Sequence, residues 1–396
     1  MDTISGIRGT RRAMSGVRAL ASSFRFVFYR VLAALARRLP VRAHEDGRQV
    51  LLVLRPDAIG DYLLFRPWLR WLREASPWAG WRIVLAGNQV WRDLAIEFDA
   101  DCFDEALWIE RRRLMRRPVF FFRVARRLRR FRADLLLYPV VSREVSGDLL
   151  VRASGARQAI AAECDGINLD RRMARLADRW YTRLLPVVSR GFEFHRTRSF
   201  FSALVGGEWG DFPRDSGFPV AARDAGGSPE RYVMLFPGAG DPRRCWPAES
   251  WSRVAGVCRA LGYRVLVCGS RDERPLCEQI ATGSGSEVLD ASIGWRALVA
   301  RLSGASLALC HDSMALHLAV ACRVPVVCIG NGNHYGRFVP YPESLHTRPL
   351  VLLVPSVVLA QPDPESVFAH GSAVDISGVD FEVVARSIRA LVGSAR

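Results

Sequence analysis

The chain contains no lysine: all 56 of its basic residues are arginines. It contains no Cys-x-x-Cys pair either, and its nine cysteines stand singly along the sequence. Isolated cysteines in apolar patterns are typical of free thiols in a reducing compartment, and they lack the ligand spacing of a zinc site. No Gly-x-Gly-x-x-Gly follows the first apolar strand pattern, which excludes the fingerprint of an NAD-dependent dehydrogenase. We therefore expect neither a metal nor an organic cofactor.

Long hydrophobic runs are also missing. The most apolar N-terminal stretch, 21–36, is interrupted by Arg25 and Arg30 and is shorter than the roughly 20 residues that a spanning helix needs. No clean signal peptide is present, so a cytoplasmic location is predicted. Six apolar residues of this region follow helical spacing: Phe24, Val27, Phe28, Val31, Leu32 and Leu35. Such a segment either lies in the interface of an anionic inner leaflet, as a peripheral anchor, or packs on the protein itself.

The basic charge is concentrated in two segments. The net charge is +16, and residues 1–49 carry ten arginines against three acids, while residues 111–132 carry eleven arginines and no acid. Localised basicity of this kind indicates a polyanionic neighbour, which is a nucleic acid, an anionic membrane or a phosphorylated substrate. The sequence contains no helix-turn-helix, zinc-finger or RNA-recognition pattern, and its aromatics are not interleaved with the arginines. We therefore expect no nucleic-acid partner.

Strand and helix patterns alternate along two stretches of the chain. The first begins with the apolar run Val50–Arg55, which is typical of a strand buried on both faces of a parallel sheet. The second begins at Tyr232–Phe236. This alternation predicts an α/β protein with two doubly wound sheets. Between them we predict a helix over Leu176–Leu185, and we expect the proline-rich stretch 330–371 to be mainly loop.

These patterns predict four segments. A basic amphipathic arm covers residues 1–48, and a first Rossmann-like domain covers residues 49–220. A linker rich in glycine and proline follows at 214–229. The second Rossmann-like domain covers residues 230–380, and a closing helix covers residues 381–396.

The first candidate site segment ends the first strand. Arg55 and Asp57 are followed by Gly60, which allows a close approach of a ligand, and by Asp61 in the first turn of the next helix. A carboxylate at the carboxyl end of a parallel strand lies where open α/β sheets bind ligands. An ionised Asp61 could accept a proton from a hydroxyl nucleophile, although Asp in a first turn commonly just caps its helix.

The second segment follows the strand at 232–236. Gly238, Ala239 and Gly240 lie in a loop before a helix that starts near Pro247, and exposed main-chain N–H groups there would form an anion site. Arg243 and Arg244 could grip a diphosphate through bidentate contacts. The alternative is an ordinary loop that carries solvated arginines. The loop lacks the Lys-Ser/Thr ending of a P-loop.

The third segment is Asp312-Ser313-Met314-Ala315-Leu316-His317. Asp312 ends a buried strand pattern, Ser313 begins a helix, and His317 lies four residues further on the same helical face. We expect Asp312 to bind sugar or ribose hydroxyls. An isolated histidine in such a helix is more often a core residue than a catalyst.

In this order and with these flanks, the three segments resemble glycosyltransferase family 9, the heptosyltransferase family of lipopolysaccharide assembly. The resemblance covers roughly residues 49–160 and 230–342, and its motifs fall in three stretches: Val53 to Leu72, Phe236 to Trp251 and Cys310 to Ile329. It implies the GT-B architecture, in which two Rossmann-like domains face a central cleft. The first would take the acceptor and the second the nucleotide-sugar.

The resemblance also implies roles for individual residues. Asp61 matches the general base of the family, and Arg244 stands where most members have a lysine on the donor phosphates. Asp312 matches the acidic donor-binding residue, with Ser313 beside it and His317 as the family's helical histidine. Two departures are Arg244 itself, since a guanidinium is a fork and not a point charge, and Met314 in place of the usual glycine.

The predicted function is therefore an inverting, metal-independent glycosyltransferase. It would move a sugar from a nucleotide-diphospho-sugar, with ADP-heptose as one candidate, to a lipopolysaccharide core or related surface glycan. The arginine-rich segments would hold it against the inner membrane. The alternative is a non-catalytic GT-B scaffold or a polyanion-binding protein that uses its arginine-rich surfaces.

Overall fold

The structure, a computed structural model, describes residues 26–38, 40, 47–207, 211–218, 231–290 and 292–393. The chain packs into two compact units. Unit 1 comprises Met1–Asp57, Pro77–Arg92 and Asp101–Val187, and unit 2 comprises Ala58–Ser76, Asp93–Ala100 and Val188–Arg396. Most of the predicted N-terminal arm, including Phe24 and Arg25, and most of the predicted linker lie outside the described residues.

Unit 1 contains a sheet of six parallel strands. They are β1 (Val50–Arg55), β2 (Arg82–Asn88), β3 (Glu105–Ile109), β4 (Leu135–Tyr138), β5 (Gln158–Ala162) and β6 (Arg183–Leu185). Their spatial order is β3-β2-β1-β4-β5-β6, the order of a Rossmann-type sheet. All six residues of β1 are buried, as expected for a central strand that is covered on both faces.

The described residues of this unit form five helices. They are α1 (residues 26–38), α4 (Arg111–Leu114), α5 (Pro118–Arg130), α6 (Val145–Ser154) and α7 (Arg171–Asp178). Helix α5 starts with proline in its first turn, where the missing N–H costs no hydrogen bond. It buries Phe121, Val124, Ala125 and Leu128 in a core shared with α1, α6 and the strands.

Unit 2 repeats this topology. Its strands are β7 (Tyr232–Phe236), β8 (Arg264–Val267), β9 (Glu287–Val288), β10 (Leu307–His311), β11 (Val326–Ile329) and β12 (Leu350–Leu353). All neighbours are parallel, and the order is β12-β11-β10-β7-β8-β9. The predicted fold class, two doubly wound parallel-sheet α/β domains, is confirmed.

In the described part of unit 2 there are ten helices. They are α2 (Ile59–Glu74), α3 (Arg92–Asp99), α8 (Glu193–Val205), α9 (Ala248–Ala260), α10 (Arg274–Ser284), α11 (Gly294–Ser303), α12 (Met314–Ala321), α13 (Ser356–Leu359), α14 (Pro364–Phe368) and α15 (Phe381–Gly393). A buried ion pair joins α2 to α3: Arg66 Nη2 lies 2.7 Å from Asp99 Oδ1, and the Tyr62 hydroxyl donates to Asp99 Oδ2 at 2.8 Å. Among the described residues, no helix is long and apolar enough to cross a bilayer.

One of the predicted elements is wrong. The expected helix over Leu176–Leu185 is instead the end of α7, a turn, and the strand β6, whose Arg183 pairs with Ile160 of β5. The stretch 330–371 is mainly loop, as predicted, and it also contains the short elements β12, α13 and α14, which were not predicted. Both edge strands, β6 and β12, have only three or four residues, which is too short for a periodic pattern to indicate them.

Candidate active site

The candidate site lies at the carboxyl edge of the sheet in unit 2, between β7 and β10. These adjacent strands mark the point where the strand order reverses, and doubly wound sheets bind ligands in the crevice there. The loop 237–247 leaves β7, and Asp312 follows β10 directly. The second and third candidate segments therefore meet at this edge of the sheet.

Arg244 and Asp312 form the contact between these two segments. Arg244 Nη2 lies 3.4 Å from Asp312 Oδ2, and the aspartate side chain is only 5% exposed. Burial raises the pKa of Asp312 to about 6, and the nearby Arg244 opposes part of that shift. The pair leaves the guanidinium partly accessible, with 22% of the Arg244 side chain exposed. A cation is thus held at the ligand-binding edge by a buried carboxylate.

His311 locks the loop to the sheet. The main-chain N–H of Trp246 donates to its Nε2 at 3.1 Å, so that nitrogen is an acceptor and Nδ1 carries the proton. Nδ1 lies 3.2 Å from the Ile329 carbonyl oxygen, to which it donates. Burial lowers the pKa of His311 to about 4. A neutral imidazole therefore fixes the main chain two residues after Arg244.

The other residues of the loop 237–247 differ in what they contact. Arg243 is exposed and turns back to Asp241, with its Nη2 2.6 Å from Oδ2. A Cβ at Gly238 would come within 1.9 Å of the Glu273 carboxylate, whereas one at Gly240 would meet no atom within 4 Å. The main chain of Ala239 lies beside the Cys245 thiol. Only Arg244 of the two arginines is directed at Asp312.

Helix α12 begins beside this pair. Ser313 caps it, since its hydroxyl accepts from the main-chain N–H of Ala315 at 3.3 Å, and its own N–H donates to the His311 carbonyl at 2.8 Å. His317 is buried, and its Nδ1 lies 2.7 Å from the Tyr341 hydroxyl. Burial lowers the pKa of His317 to about 3. His317 is therefore a neutral core histidine, the more common of the two alternatives.

Asp61 lies in the same compact unit as Arg244 and Asp312. Its Oδ2 accepts from the main-chain N–H of Ala58 at 3.3 Å, which is the helix-capping contact, and its Oδ1 lies 3.5 Å from Nη2 of Arg337. The ideal Cβ position of Gly60 lies 2.9 Å from Cδ2 of His317, so the start of α2 touches α12.

Arg337 continues the network into α8. Its Nε donates to Glu193 Oε2 at 2.9 Å, and Glu193 also accepts from Arg196 Nη1 at 2.9 Å. Glu193 and Arg196 are each about 1% exposed. Asp61 and Arg337 are 16% and 14% exposed. A chain of alternating charges therefore runs from the buried α8 to Asp61.

The charges of both pairs shift the pKa of His334. Burial is the main cause that lowers its pKa, the positive charges of Arg337 and Arg244 lower it further, and Asp61 acts in the opposite direction. The protonation of the His334 imidazole therefore depends on the charges of both Arg244 and Asp61.

Arg55 and Asp57 lie in unit 1 and contact each other. Their ion pair spans 2.7 Å, and Arg55 Nη1 also donates to the Pro139 carbonyl at 2.5 Å. The Asp57 carbonyl accepts from Asn88 Nδ2 at 2.8 Å. The Arg55 side chain thus ties the carboxyl ends of β1 and β4 together, and the main chain of Asp57 is tied to the end of β2.

Four residues of the site were missed by the sequence analysis: Glu193, His334, Arg337 and Tyr341. Three of them belong to the loop that follows the buried strand β11. That loop leaves the same sheet edge as the segments that follow β7 and β10, and this position is the sequence signal that could have identified its residues. Among the described residues, no group of three or more His, Cys, Asp or Glu could hold a metal ion.

Two relatives share part of this sequence. Over 127 residues the chain is 28% identical to lipopolysaccharide heptosyltransferase 3 of Escherichia coli, covering 31% of this chain and 37% of that protein. Over 218 residues it is 26% identical to lipopolysaccharide heptosyltransferase 1 of Pseudomonas aeruginosa, covering 49% of this chain and 59% of that protein. Each match thus spans less than two thirds of the relative.

The fold has a solved counterpart. The structure described as E. coli heptosyltransferase WaaC with ADP matches with a TM-score of 0.63 at 16% identity, over 88% of this chain and 99% of that one. The family model for glycosyltransferase family 9 (heptosyltransferase) matches residues 123–347, which is more than half of the sequence. The chain therefore belongs to glycosyltransferase family 9.

Proposed function

We propose that the protein transfers a sugar from a nucleotide-diphospho-sugar to a lipopolysaccharide core or a related surface glycan. The observation that carries this proposal is the Arg244–Asp312 pair at the edge where the strand order reverses. Both matched relatives are named lipopolysaccharide heptosyltransferases, and the structural counterpart is described with ADP. ADP-heptose is accordingly the first donor to test.

Arg244 and the start of α12 would hold the donor diphosphate. A guanidinium can bind two phosphate oxygens at once, and the N-terminus of a helix attracts negative charge. Asp312 would orient Arg244 and bind donor hydroxyls. In this proposal the guanidinium and the helix stabilise the departing diphosphate without a metal ion.

Asp61 would act as general base. The acceptor hydroxyl oxygen attacks the anomeric carbon of the donor and its proton passes to the Asp61 carboxylate. The bond from the anomeric carbon to the diphosphate oxygen breaks, and the nucleoside diphosphate leaves with the bonding electron pair. Attack on the face opposite the leaving group inverts the anomeric configuration. Arg55, Asp57 and Gly60 would shape the acceptor side, and we place the enzyme on the cytoplasmic face of the inner membrane.

The test replaces Asp61 by Asn, which keeps the shape of the side chain and removes the base. We expect kcat to fall by a factor on the order of 10² to 10⁴, the usual contribution of general base catalysis. The donor dissociation constant should change less than about twofold, because Arg244 and Asp312 remain. The donor is first identified by thermal shift with a panel of nucleotide sugars, since a bound ligand raises the melting temperature.

The matched control is D93N. Asp93 is likewise a first-turn aspartate of a helix in unit 2, and it is exposed. This variant should retain wild-type kcat. Turnover of D61N at the wild-type rate would contradict the role of Asp61 as base. A panel in which no nucleotide sugar stabilises the protein would contradict the donor site and favour a scaffold without catalytic activity.

A further inference from the structure

Helix α1 has one side that is firmly packed on unit 1. Phe26, Tyr29, Ala33 and Ala36 are at most 5% exposed. The Tyr29 ring meets Phe121 of α5 edge-on, with ring centroids 5.1 Å apart. Of the two alternatives for the N-terminal segment, packing on the protein therefore holds for this side of α1, and it makes α1 a neighbour of α5.

The opposite side of α1 is apolar as well. Val27, Phe28, Val31 and Leu35 are 48%, 41%, 50% and 48% exposed. Their spacing places them on one side of the helix, away from the buried residues. A contiguous apolar patch on a surface marks an interaction site. The outward side of α1 is thus a surface that we expect to be covered by another apolar surface.

The neighbouring segment 111–132 supplies unpaired positive charge. Arg111 pairs with Glu144 and Arg113 with Glu110, which accounts for the nearby acids. Seven others between residues 112 and 130 are exposed and make no ion pair with a carboxylate of the described residues: Arg112, Arg116, Arg117, Arg123, Arg126, Arg127 and Arg130. Seven guanidinium groups without counter-charges repel one another unless an anionic surface lies against them.

We propose that the outward side of α1 and these seven arginines form one docking surface for an anionic lipid bilayer. The four apolar side chains enter the boundary between headgroups and acyl chains, and the guanidinium groups contact lipid phosphates. A nucleic acid would neutralise the arginines but leave the apolar side of α1 exposed to water. The interface of an anionic bilayer would neutralise the arginines and also cover the apolar side. The proposal rests on the function above to the extent that a lipid-linked acceptor lies at such a surface.

The test is flotation of the full chain with vesicles. We expect binding to vesicles of equal parts phosphatidylglycerol and phosphatidylcholine, little binding to phosphatidylcholine alone, and weaker binding at high salt. The variant V31E/L35E should bind at least tenfold more weakly, because it places two charges in the apolar side. The variant R126Q/R130Q should bind about 25-fold more weakly, since each arginine near an anionic surface contributes about fivefold.

Matched controls come from unit 2. The pair V357E/L359E changes two residues of α13 that are 49% and 60% exposed, and R386Q/R389Q changes two exposed arginines of α15. Both should bind vesicles like the wild type. All sites are exposed, so the variants should retain wild-type melting temperatures.

Three outcomes would overturn the docking surface. The first is vesicle binding that V31E/L35E leaves unchanged. The second is salt-sensitive binding of duplex DNA without any binding of vesicles. The third is a dimer in sedimentation that V31E/L35E converts to monomers, which would assign the apolar side to a second copy. Donor binding is measured in solution without vesicles, so failure of this surface remains distinguishable from failure of the transferase proposal.

Discussion

At the scale of single residues, the contact between Asp61 and Arg337 gives a prediction about positioning. Arg337 Nη2 lies 3.5 Å from Asp61 Oδ1, and its Nε is held by the buried Glu193. Replacing Arg337 by Gln removes the charge that orients the carboxylate. We expect kcat for sugar transfer to fall at least tenfold, because small misplacements of a reacting group are costly, while the donor KM changes less than about twofold. Steady-state kinetics measure both values.

Two further variants separate positioning from a structural role. R337K keeps the positive charge near Asp61 and should recover part of kcat. R190Q is the control. Arg190 lies 3.3 Å from the Asp363 carboxylate in a largely exposed ion pair and does not contact Asp61, so this variant should leave kcat unchanged. A fall in melting temperature of R337Q with an unchanged kcat per folded molecule would show that Arg337 serves stability alone.

The sequence predicted the position of Asp312 and Arg244 because both follow strands with strong apolar patterns. It did not predict their mutual contact, which joins residues 68 positions apart through parallel pairing of β7 and β10. Arg337 and Glu193 were missed for the same reason. Their partners are far away along the chain, and only the packing of α8 near the β11 loop brings them to Asp61.

At the scale of helices and strands, the contact between α2 and α12 depends on a glycine. A Cβ at position 60 would lie 2.9 Å from Cδ2 of His317, whose ring is buried and hydrogen-bonded to Tyr341. In G60A the gain in helix propensity, up to about 1 kcal/mol, is opposed by this overlap. We expect a net loss of about 1 kcal/mol in the free energy of unfolding, measured by urea denaturation.

The matched control is G256A. Gly256 lies inside α9, and a Cβ there would meet no atom within 4 Å. This variant should gain about 0.5 to 1 kcal/mol from helix propensity alone. Equal stabilisation of both variants would mean that α2 and α12 tolerate a side chain between them.

The same scale explains which elements the sequence predicted. Strand β1 was predicted with its observed bounds because all six residues are buried and apolar up to Arg55. Strand β12 was missed, since Leu350–Leu353 is a four-residue apolar run between Pro349 and Pro355 in a proline-rich stretch. Its pairing with β11, which fixes it as a strand, is a non-local interaction.

At the scale of the whole molecule, the alternation of strand and helix patterns predicted the doubling of the fold but not how the chain divides. Residues 58–76 and 93–100, which follow β1 and β2 in the chain, belong to unit 2. Local patterns identify each helix but give no information about the unit it joins. The predicted division near residues 220–230 remains a prediction, and most of that stretch lies outside the described residues.

The titration of buried groups in unit 2 predicts how the stability of the protein depends on pH. The pKa of His317 is lowered to about 3 and that of His311 to about 4, both by burial. An unfolded imidazole titrates near 6.5, so as pH falls below that value the unfolded state binds protons that the folded state does not. Each histidine therefore costs about 2 kcal/mol of stability between pH 7 and pH 5.

Asp312 acts in the opposite direction. Its folded pKa of about 6 lies above the unfolded value, so protonation of Asp312 stabilises the folded state. When the pH falls from 7 to 5, Asp312 therefore adds about 1 kcal/mol to the stability of the protein. We expect a net loss of about 3 kcal/mol, measured by urea unfolding at the two pH values. In H317Q this loss should fall to about 1 kcal/mol, because His311 still opposes Asp312, whereas H370Q, at an exposed histidine, should retain the full loss. If H317Q lost as much stability as the wild type, the imidazole at position 317 would have to be accessible to protons in the folded state, and its place in the core between α2 and Tyr341 would be wrong.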